Sequence, residues 1–117
     1  MPRRARRESA TGFYHIVSRG LDRENIFGEK REKTRFLNLL KDNLNECNVE
    51  IYAYCVMSNH FHLLVKVEKE IMPIFMAKVL GRYAKYYNYK HNRIGYVFEN
   101  RYNTQCIEDE RYFCSCL

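Results

Sequence analysis

The stretch His60–Val67 (HFHLLVKV) determines how this chain folds. In a β-strand, successive side chains point to opposite faces of the sheet. The stretch therefore has an unbroken apolar face and a mixed face that carries two histidines: Phe61, Leu63, Val65 and Val67 against His60, His62, Leu64 and Lys66. The apolar face must pack against helices. We therefore predict both histidines on the uncovered face of a strand.

The rest of the chain supplies partners for this strand. Residues 12–19, 50–57 and 96–107 are rich in β-branched and aromatic residues and predict three more strands, while 58–60 suit a tight turn. Residues 29–47 and 72–88 have helical periodicity. The order β-α-β-β-α-β is that of the split βαβ, ferredoxin-like unit. Right-handed crossovers then give an α+β fold, with a four-stranded antiparallel sheet, strands one and three in its middle and both helices on one face.

Each predicted helix has an apolar stripe. In the first helix the stripe is Phe36, Leu37, Leu40, Leu44 and Cys47. In the second helix the spacing predicts one core face, whose small residues would let the helix lie close to the sheet: Ile74, Ala77, Gly81, Ala84 and Tyr87. We expect a third helix to begin at the acidic residues 108–110, where negative charge favours a helix amino end, and to be cut short at Leu117.

Length and composition indicate one domain over residues 1–117, with a basic amino-terminal arm over 1–10. The five cysteines include no Cys-x-x-Cys pair, which argues against a secreted disulfide framework. No apolar run approaches the roughly 18 residues of a membrane span. We therefore expect a reduced, cytoplasmic protein that is not bound to a membrane.

The net charge of +6 is concentrated in two zones. Residues 1–35 hold ten Lys and Arg against five Asp and Glu, and residues 71–107 hold six against one. Guanidinium groups match phosphate oxygens, and tyrosine rings, of which there are ten, can stack on unpaired bases or simply pack at the core rim. The candidate DNA contacts are Arg3, Arg4, Arg6, Arg7, Arg19, Arg23, Arg82, Lys85, Arg93 and Arg101.

The His-x-His spacing is compatible with a metal site. Two imidazoles two residues apart on a strand project in parallel and can share one divalent ion, which would polarise a phosphate oxygen. The alternative is two partly exposed histidines bonded to backbone or water. Spacing identifies no third ligand, and the candidates are His15, Gln105 and Glu99. His15 could equally be a strand residue whose hydrogen bonds are satisfied within the fold. We expect His91 in a loop.

Several motifs occur in a fixed order along the chain: Gly12-x-x-His15, Arg19-Gly20, Ile26-Phe27, residues 53–64 (AYCVMSNHFHLL), Tyr87-Asn88, residues 95–98 (GYVF) and Arg101-Tyr102. With these blocks the sequence resembles the small HUH-type, single-tyrosine transposases, in particular the branch of REP-associated tyrosine transposases. The resemblance covers nearly the whole chain. It implies the same antiparallel sheet with helices.

The resemblance also implies an activity. His60-Phe61-His62 would be the HUH signature that binds magnesium or manganese. Family members are single-strand DNA endonucleases and ligases: a tyrosine cuts the strand, leaving a 5′-phosphotyrosine link and a free 3′-hydroxyl, and the reverse reaction rejoins strands. The implied partners are single-stranded or hairpin DNA and, because related enzymes include dimers that share active sites, a second copy of the chain.

The chain departs from the family pattern at its carboxyl end. The family nucleophile lies on the helix after the fourth strand, and by this pattern its position would fall beyond Leu117, the last residue of the sequence. Tyr112 is the remaining candidate nucleophile, although it matches an earlier, packing tyrosine better, and the helix-borne third metal ligand would also be missing. We therefore expect DNA binding, with metal, but no strand cleavage. The alternatives are a non-catalytic ferredoxin-like nucleic-acid binder and a small metal-dependent phosphoesterase.

Overall fold

Four strands and two long helices follow one another in the predicted order β-α-β-β-α-β. The structure, a computed structural model, describes residues 9–99 and 101–107. The third helix predicted from residue 108 lies outside them. The strands are β1 (Phe13–Arg19), β2 (Glu50–Val56), β3 (His60–Lys66) and β4 (Asn103–Ile107); the helices are α1 (Lys30–Cys47) and α2 (Met72–His91), and a short 3-10 turn spans Leu21–Arg23.

The sheet is antiparallel with the strand order β2-β3-β1-β4, which confirms that the first and third strands are central. Along β1 and β3 the pairing runs from Phe13 opposite Lys66 to Arg19 opposite His60. The carboxyl end of β1 therefore lies beside the amino end of β3. This register decides which side chains of the two strands meet.

Both helices pack on the sheet face that carries Phe61. The ring centroid of Phe61 lies 4.7 Å from that of Phe36 on α1, which lies 5.7 Å from that of Tyr83 on α2. All three rings are fully buried. Removing such apolar surface from water is the main favourable contribution to folding. The core therefore lies between the helices and this face of the sheet.

The other sheet face carries the histidines. We call it the histidine face; its central side chains are His15, Val17, His60, His62 and Leu64. Neither α1 nor α2 packs on it. Most of these side chains are half-buried, whereas Leu64 is buried, with His15 and Ala53 opposite it on the neighbouring strands.

The face of α2 that enters the core differs from the prediction. Of the predicted stripe only Tyr87 is buried; Ile74 is 51% exposed, and an added methyl group at Gly81 would meet no atom within 4 Å. Larger side chains fill the interface because they remove more apolar area from water. The buried residues of α2 are Met72, Phe75, Met76, Val79, Tyr83 and Tyr87.

The stripe of α1 was predicted more closely. Phe36, Leu40 and Cys47 are buried, while Leu37 and Leu44 are half-buried at the edge of the core. The sequence pattern missed three buried residues of this helix, which are Glu32, Leu39 and Asn43.

Two predicted boundaries were wrong. The fourth strand begins at Asn103 rather than at Tyr96. Val17 pairs with Asn103 while Gly20 pairs with Phe98, so the two pairs are five positions apart on one side and only three on the other, and the regular ladder is interrupted. The second helix continues to residue 91, where Asn92 ends it in a left-handed conformation with φ of 51°. His91 is thus the last helical residue and not a loop residue.

Within the described residues, no helix combines the length and the apolar character that crossing a lipid bilayer would require.

Candidate nucleic-acid and metal site

His60 and His62 lie side by side on the histidine face, as predicted. Their neighbours along β3, Phe61 and Leu63, point to the opposite face and are buried. The two imidazole centroids are 5.1 Å apart, with 79° between the ring planes. The strand therefore presents two ring-nitrogen donors together on a half-buried surface.

His15 of β1 belongs to the same cluster. It stands opposite Leu64, two residues from His62, and its Nε2 lies 3.1 Å from Nδ1 of His62. The ring centroids are 5.2 Å apart and the planes differ by 18°. Since two ring nitrogens at this distance share one hydrogen, one imidazole donates to the other.

The other two candidate third ligands both lie beside β1. Glu99 forms an ion pair with Arg19, at 3.3 Å between Oε1 and Nε. Gln105 stands opposite His15 on β4 and is exposed. Among the described residues, no group of three or more His, Cys, Asp or Glu side chains is placed to hold a metal ion.

Asn59, a residue that sequence reasoning placed only in a turn, contacts His60. Its side-chain Oδ1 lies 2.7 Å from His60 Nδ1. A carbonyl oxygen can only accept a hydrogen bond, so Nδ1 of His60 carries the hydrogen and Nε2 carries the lone pair. The sequence does contain a signal for this contact, because Asn59 immediately precedes the His-x-His motif.

A cleft of about 330 Å³ opens beside the two histidines. Two arginines line it with them, so the cleft combines lone-pair nitrogen donors with positive charge. Guanidinium groups bind phosphate oxygens in a bidentate manner. The lining residues are Val17, Arg19, Arg23, Asn59, His60 and His62.

The turn after β1 holds Arg23 at this cleft. Asp22 and Arg23 both have positive φ, 54° and 60°. Gly20 packs so closely that an added Cβ would lie 2.5 Å from the carbonyl oxygen of Glu24. Backbone hydrogen bonds from Gly20 N to Asn59 O, at 2.8 Å, and from Phe27 N to Ser58 O, at 2.8 Å, fasten the turn to the β2–β3 hairpin. The guanidinium of Arg23 has no hydrogen-bond or ion-pair partner among the described residues.

Burial lowers the pKa of His62, and the neighbouring His15 and His60 lower it further. Loss of solvation disfavours the charged imidazolium, and two further ionisable rings add like-charge repulsion. His62 is therefore neutral at neutral pH and retains a lone pair for a ligand.

The remaining predicted DNA contacts among the described residues do not line the cleft. Arg82 donates to Asn43 of α1 at 3.2 Å, and Lys85 is an exposed residue of α2. Arg93 donates to Asn88 at 2.7 Å and lies over the Tyr87 ring. Arg101 is half-buried, and the four arginines of the amino-terminal arm lie outside the described residues: Arg3, Arg4, Arg6 and Arg7.

The predictions about the nucleophile concern residues 108–117, which also lie outside the described part of the chain. They are Tyr112 as the candidate nucleophile and a family nucleophile expected beyond Leu117. Neither residue can be placed relative to the histidine cleft, so both statements stay predictions.

Comparisons with known proteins agree with this architecture. The solved structure of a REP-associated tyrosine transposase bound to a REP hairpin superposes with a TM-score of 0.75 at 12% identity, covering 99% of this chain and 68% of that one. A protein assigned as a transposase from Deinococcus radiodurans R1 superposes with a TM-score of 0.66 at 17% identity, covering 89% of this chain and 84% of that one. At these identities both show a shared fold.

A search of curated proteins found no match. The sequence model of the family described as "Transposase IS200 like" matches residues 9–113, which include both central strands, both helices and the His-x-His motif. This chain therefore belongs to the IS200-like transposase family.

Proposed function

We propose that the protein binds single-stranded or hairpin DNA with one phosphodiester seated in the histidine cleft. The observation that carries this proposal is the placement of His60 and His62 beside Arg19 and Arg23 in one cleft. Support for a hairpin comes from the REP-associated relative, whose structure was solved bound to a REP hairpin.

The donor set of the cleft fits a divalent cation. His60 and His62 would hold it through Nε2, because Asn59 and His15 occupy their Nδ1 atoms. Two imidazoles leave further coordination positions for water and phosphate oxygens. Nitrogen donors favour manganese over magnesium, which prefers oxygen ligands. When bound, such an ion polarises a phosphate oxygen and offsets the charge that develops as the phosphodiester reacts.

The side chains of the cleft have separate tasks in this proposal. Arg23 pairs with a non-bridging phosphate oxygen, since its guanidinium has no protein partner among the described residues. Arg19 is held by Glu99 and adds positive charge on the same side. His62, whose pKa is lowered by burial and by the neighbouring histidines, supplies a donor without adding further positive charge next to the arginines.

Strand transfer, the chemistry that the resemblance implies, is a step beyond binding. In it a tyrosine hydroxyl gives up its proton and its oxygen forms a bond to phosphorus, while the 3′-oxygen leaves with its bonding electrons and takes up a proton. DNA binding at the cleft does not require this step, and denaturing electrophoresis tests for it separately. A covalent protein–DNA adduct would show that a tyrosine attacks, and loss of that adduct in Tyr112→Phe would assign the nucleophile. A homodimer also stays a prediction, which light scattering tests.

The central test is manganese and DNA binding by the full chain. Electron paramagnetic resonance should detect Mn²⁺ bound to the wild type and little bound to His60→Ala or His62→Ala. Lys41→Ala is the matched control, since Lys41 is exposed on α1, which packs on the opposite face of the sheet from the histidines. DNA binding without any Mn²⁺ signal would favour a non-catalytic binder. Hydrolysis of a generic phosphodiester by water, with no adduct, would favour a phosphoesterase.

A further inference from the structure

We propose that His15 and Asn59 are positioning residues that fix the tautomers of the two cleft histidines, His15 for His62 and Asn59 for His60. A neutral imidazole carries one N–H and one lone pair, and its partners decide which nitrogen holds which. Both assignments leave the lone pair on Nε2. The histidine pair is thereby preset to accept an electron-poor ligand in the cleft.

The assignment for His60 follows from its contact with Asn59. At 2.7 Å, Nδ1 of His60 and Oδ1 of Asn59 are hydrogen-bonded, and the amide oxygen has no hydrogen to give. The hydrogen therefore resides on Nδ1. In an isolated histidine side chain the Nε2–H tautomer predominates, so Asn59 reverses the ordinary preference.

The assignment for His62 needs an electrostatic argument, because either ring of the His15–His62 pair could donate. If His15 donated, His62 would carry its hydrogen on Nε2 and direct the positive end of the N–H dipole at Arg19 and Arg23, which line the same cleft. If His62 donates from Nδ1, its Nε2 lone pair meets that positive charge instead. Like charges repel, so the second arrangement is favoured.

In this arrangement His15 orients His62 and does not itself bind the ligand. Its Nε2 accepts a hydrogen bond from His62, so that nitrogen is not available to a ligand. Residues that orient metal-binding histidines usually do so through a carboxylate or a carbonyl. Here a third imidazole on the neighbouring strand serves, and the β1–β3 register brings it into contact.

Nitrogen-15 NMR of the metal-free protein tests the tautomers directly. At a pH above about 7.5, where an ordinary histidine is neutral, long-range proton–nitrogen spectra should show both His60 and His62 protonated at Nδ1. In His15→Phe, which keeps a ring but lacks an acceptor, the Nε2–H population of His62 should rise while His60 is unchanged. The shift should be partial, because Arg19 and Arg23 remain and still oppose Nε2–H. In Asn59→Ala, His60 should shift toward Nε2–H while His62 is unchanged.

Each variant thus contains its own control, because the unaffected histidine reports that the sheet is intact. Protonation of His62 at Nε2 in the wild type would show that His15 is the donor and overturn the assignment. An unchanged His62 tautomer in a folded His15→Phe protein would overturn it too. So would a change of both histidines in both variants, since that indicates a general structural effect.

The consequence for metal affinity rests on the proposed function, whereas the tautomers do not. Loss of a residue that orients a ligand typically weakens metal binding about 10- to 100-fold. His15→Phe and Asn59→Ala should each weaken Mn²⁺ binding by about tenfold or more. Correct tautomers in a wild type that binds no Mn²⁺ would refute the metal-binding part of the proposed function and leave this inference standing. Mn²⁺ binding by a wild type with the wrong tautomers would support the metal site and overturn this inference.

Discussion

The carboxylate of Glu32, in the first turn of α1, lies 2.6 Å from Nε2 of His91, the last residue of α2. The Glu32 side chain is only 1% exposed. Its Oε1 accepts the backbone N–H of Glu29 at 3.0 Å, and Lys90 lies 3.6 Å from its Oε2. One buried carboxylate therefore closes the amino end of α1 and ties it to the carboxyl end of α2.

We predict that Glu32→Ala destabilises the fold by about 1–3 kcal/mol, because it leaves the Glu29 N–H unpaired and removes the only acid that His91 contacts in the described part of the chain. Glu32→Gln should cost less, since an amide oxygen can still accept from Glu29. Urea unfolding followed by circular dichroism measures both.

The matched control for that experiment is Glu46→Ala. Glu46 pairs with Lys78 between the same two helices, but both side chains are at the surface. Exposed ion pairs contribute little to stability. Equal losses in Glu32→Ala and Glu46→Ala would show that burial of Glu32 is unimportant.

Two glycines should respond to alanine in opposite directions. Gly81→Ala should stabilise the protein by about 0.5–1 kcal/mol, since it lies inside α2 with open space around it. Gly20→Ala should destabilise it by about 1–3 kcal/mol, because the new Cβ would lie 2.5 Å from the Glu24 carbonyl oxygen. Gly20 has an ordinary φ of −67°, so the clash and not the dihedral is the cause.

Thermal unfolding of both variants measures these changes. Gly20→Ala should also weaken DNA binding, because the turn it disrupts holds Arg23 at the cleft. A destabilising Gly81→Ala would mean that α2 lies closer to the rest of the molecule at this point than the structure places it.

The contrast between these glycines shows where sequence reasoning reached its limit. The two-residue alternation of β3 is a local property, so the faces of Phe61 and His62 could be read from the sequence. Residues of α2 are apolar on several sides, and periodicity alone did not distinguish Gly81 from Val79 as the core position. Which of the two positions faces the core depends on the volume that side chains must fill between α2 and the sheet.

Contacts between strands were beyond sequence reasoning for a similar reason. His15 and His62 are 47 positions apart along the chain, and their contact depends on the β1–β3 register. Asn59 was recognisable as a turn residue, but its hydrogen bond to His60 depends on the path of the hairpin. The cleft itself forms where the turn after β1 meets that hairpin.

The lowered pKa of His62 predicts a pH dependence of stability. The unfolded chain takes up a proton on this side chain near pH 6.5, whereas the folded protein resists it. The unfolded state therefore binds more protons, and the free energy of unfolding should fall as the pH drops below about 6.5. In His62→Asn this decline should be shallower.

Urea midpoints measured across this pH range for the two proteins isolate the contribution of His62. His15 and His60, which face it, and the charges of Arg19 and Arg23 are present in both. Parallel curves for the wild type and His62→Asn would show that burial does not hold this imidazole neutral.

DNA affinity should depend on salt in a way that identifies the cleft arginines. If about six basic groups contact single-stranded phosphates, the logarithm of affinity should fall with the logarithm of salt concentration at a slope near −4. Each lost contact should reduce the steepness by about 0.7. The double variant Arg19→Ala, Arg23→Ala should therefore give a slope of about −3.

Fluorescence anisotropy with a labelled hairpin that carries a single-stranded tail provides the measurement. Lys41→Ala is the control, because Lys41 is an exposed cation on α1, which packs on the opposite face of the sheet from the histidines. Its slope should match that of the wild type. A flat response in the wild type would argue against DNA binding. If Lys41→Ala reduced the steepness of the slope as much as Arg23→Ala alone does, the phosphates would contact the surface diffusely and not at the histidine cleft.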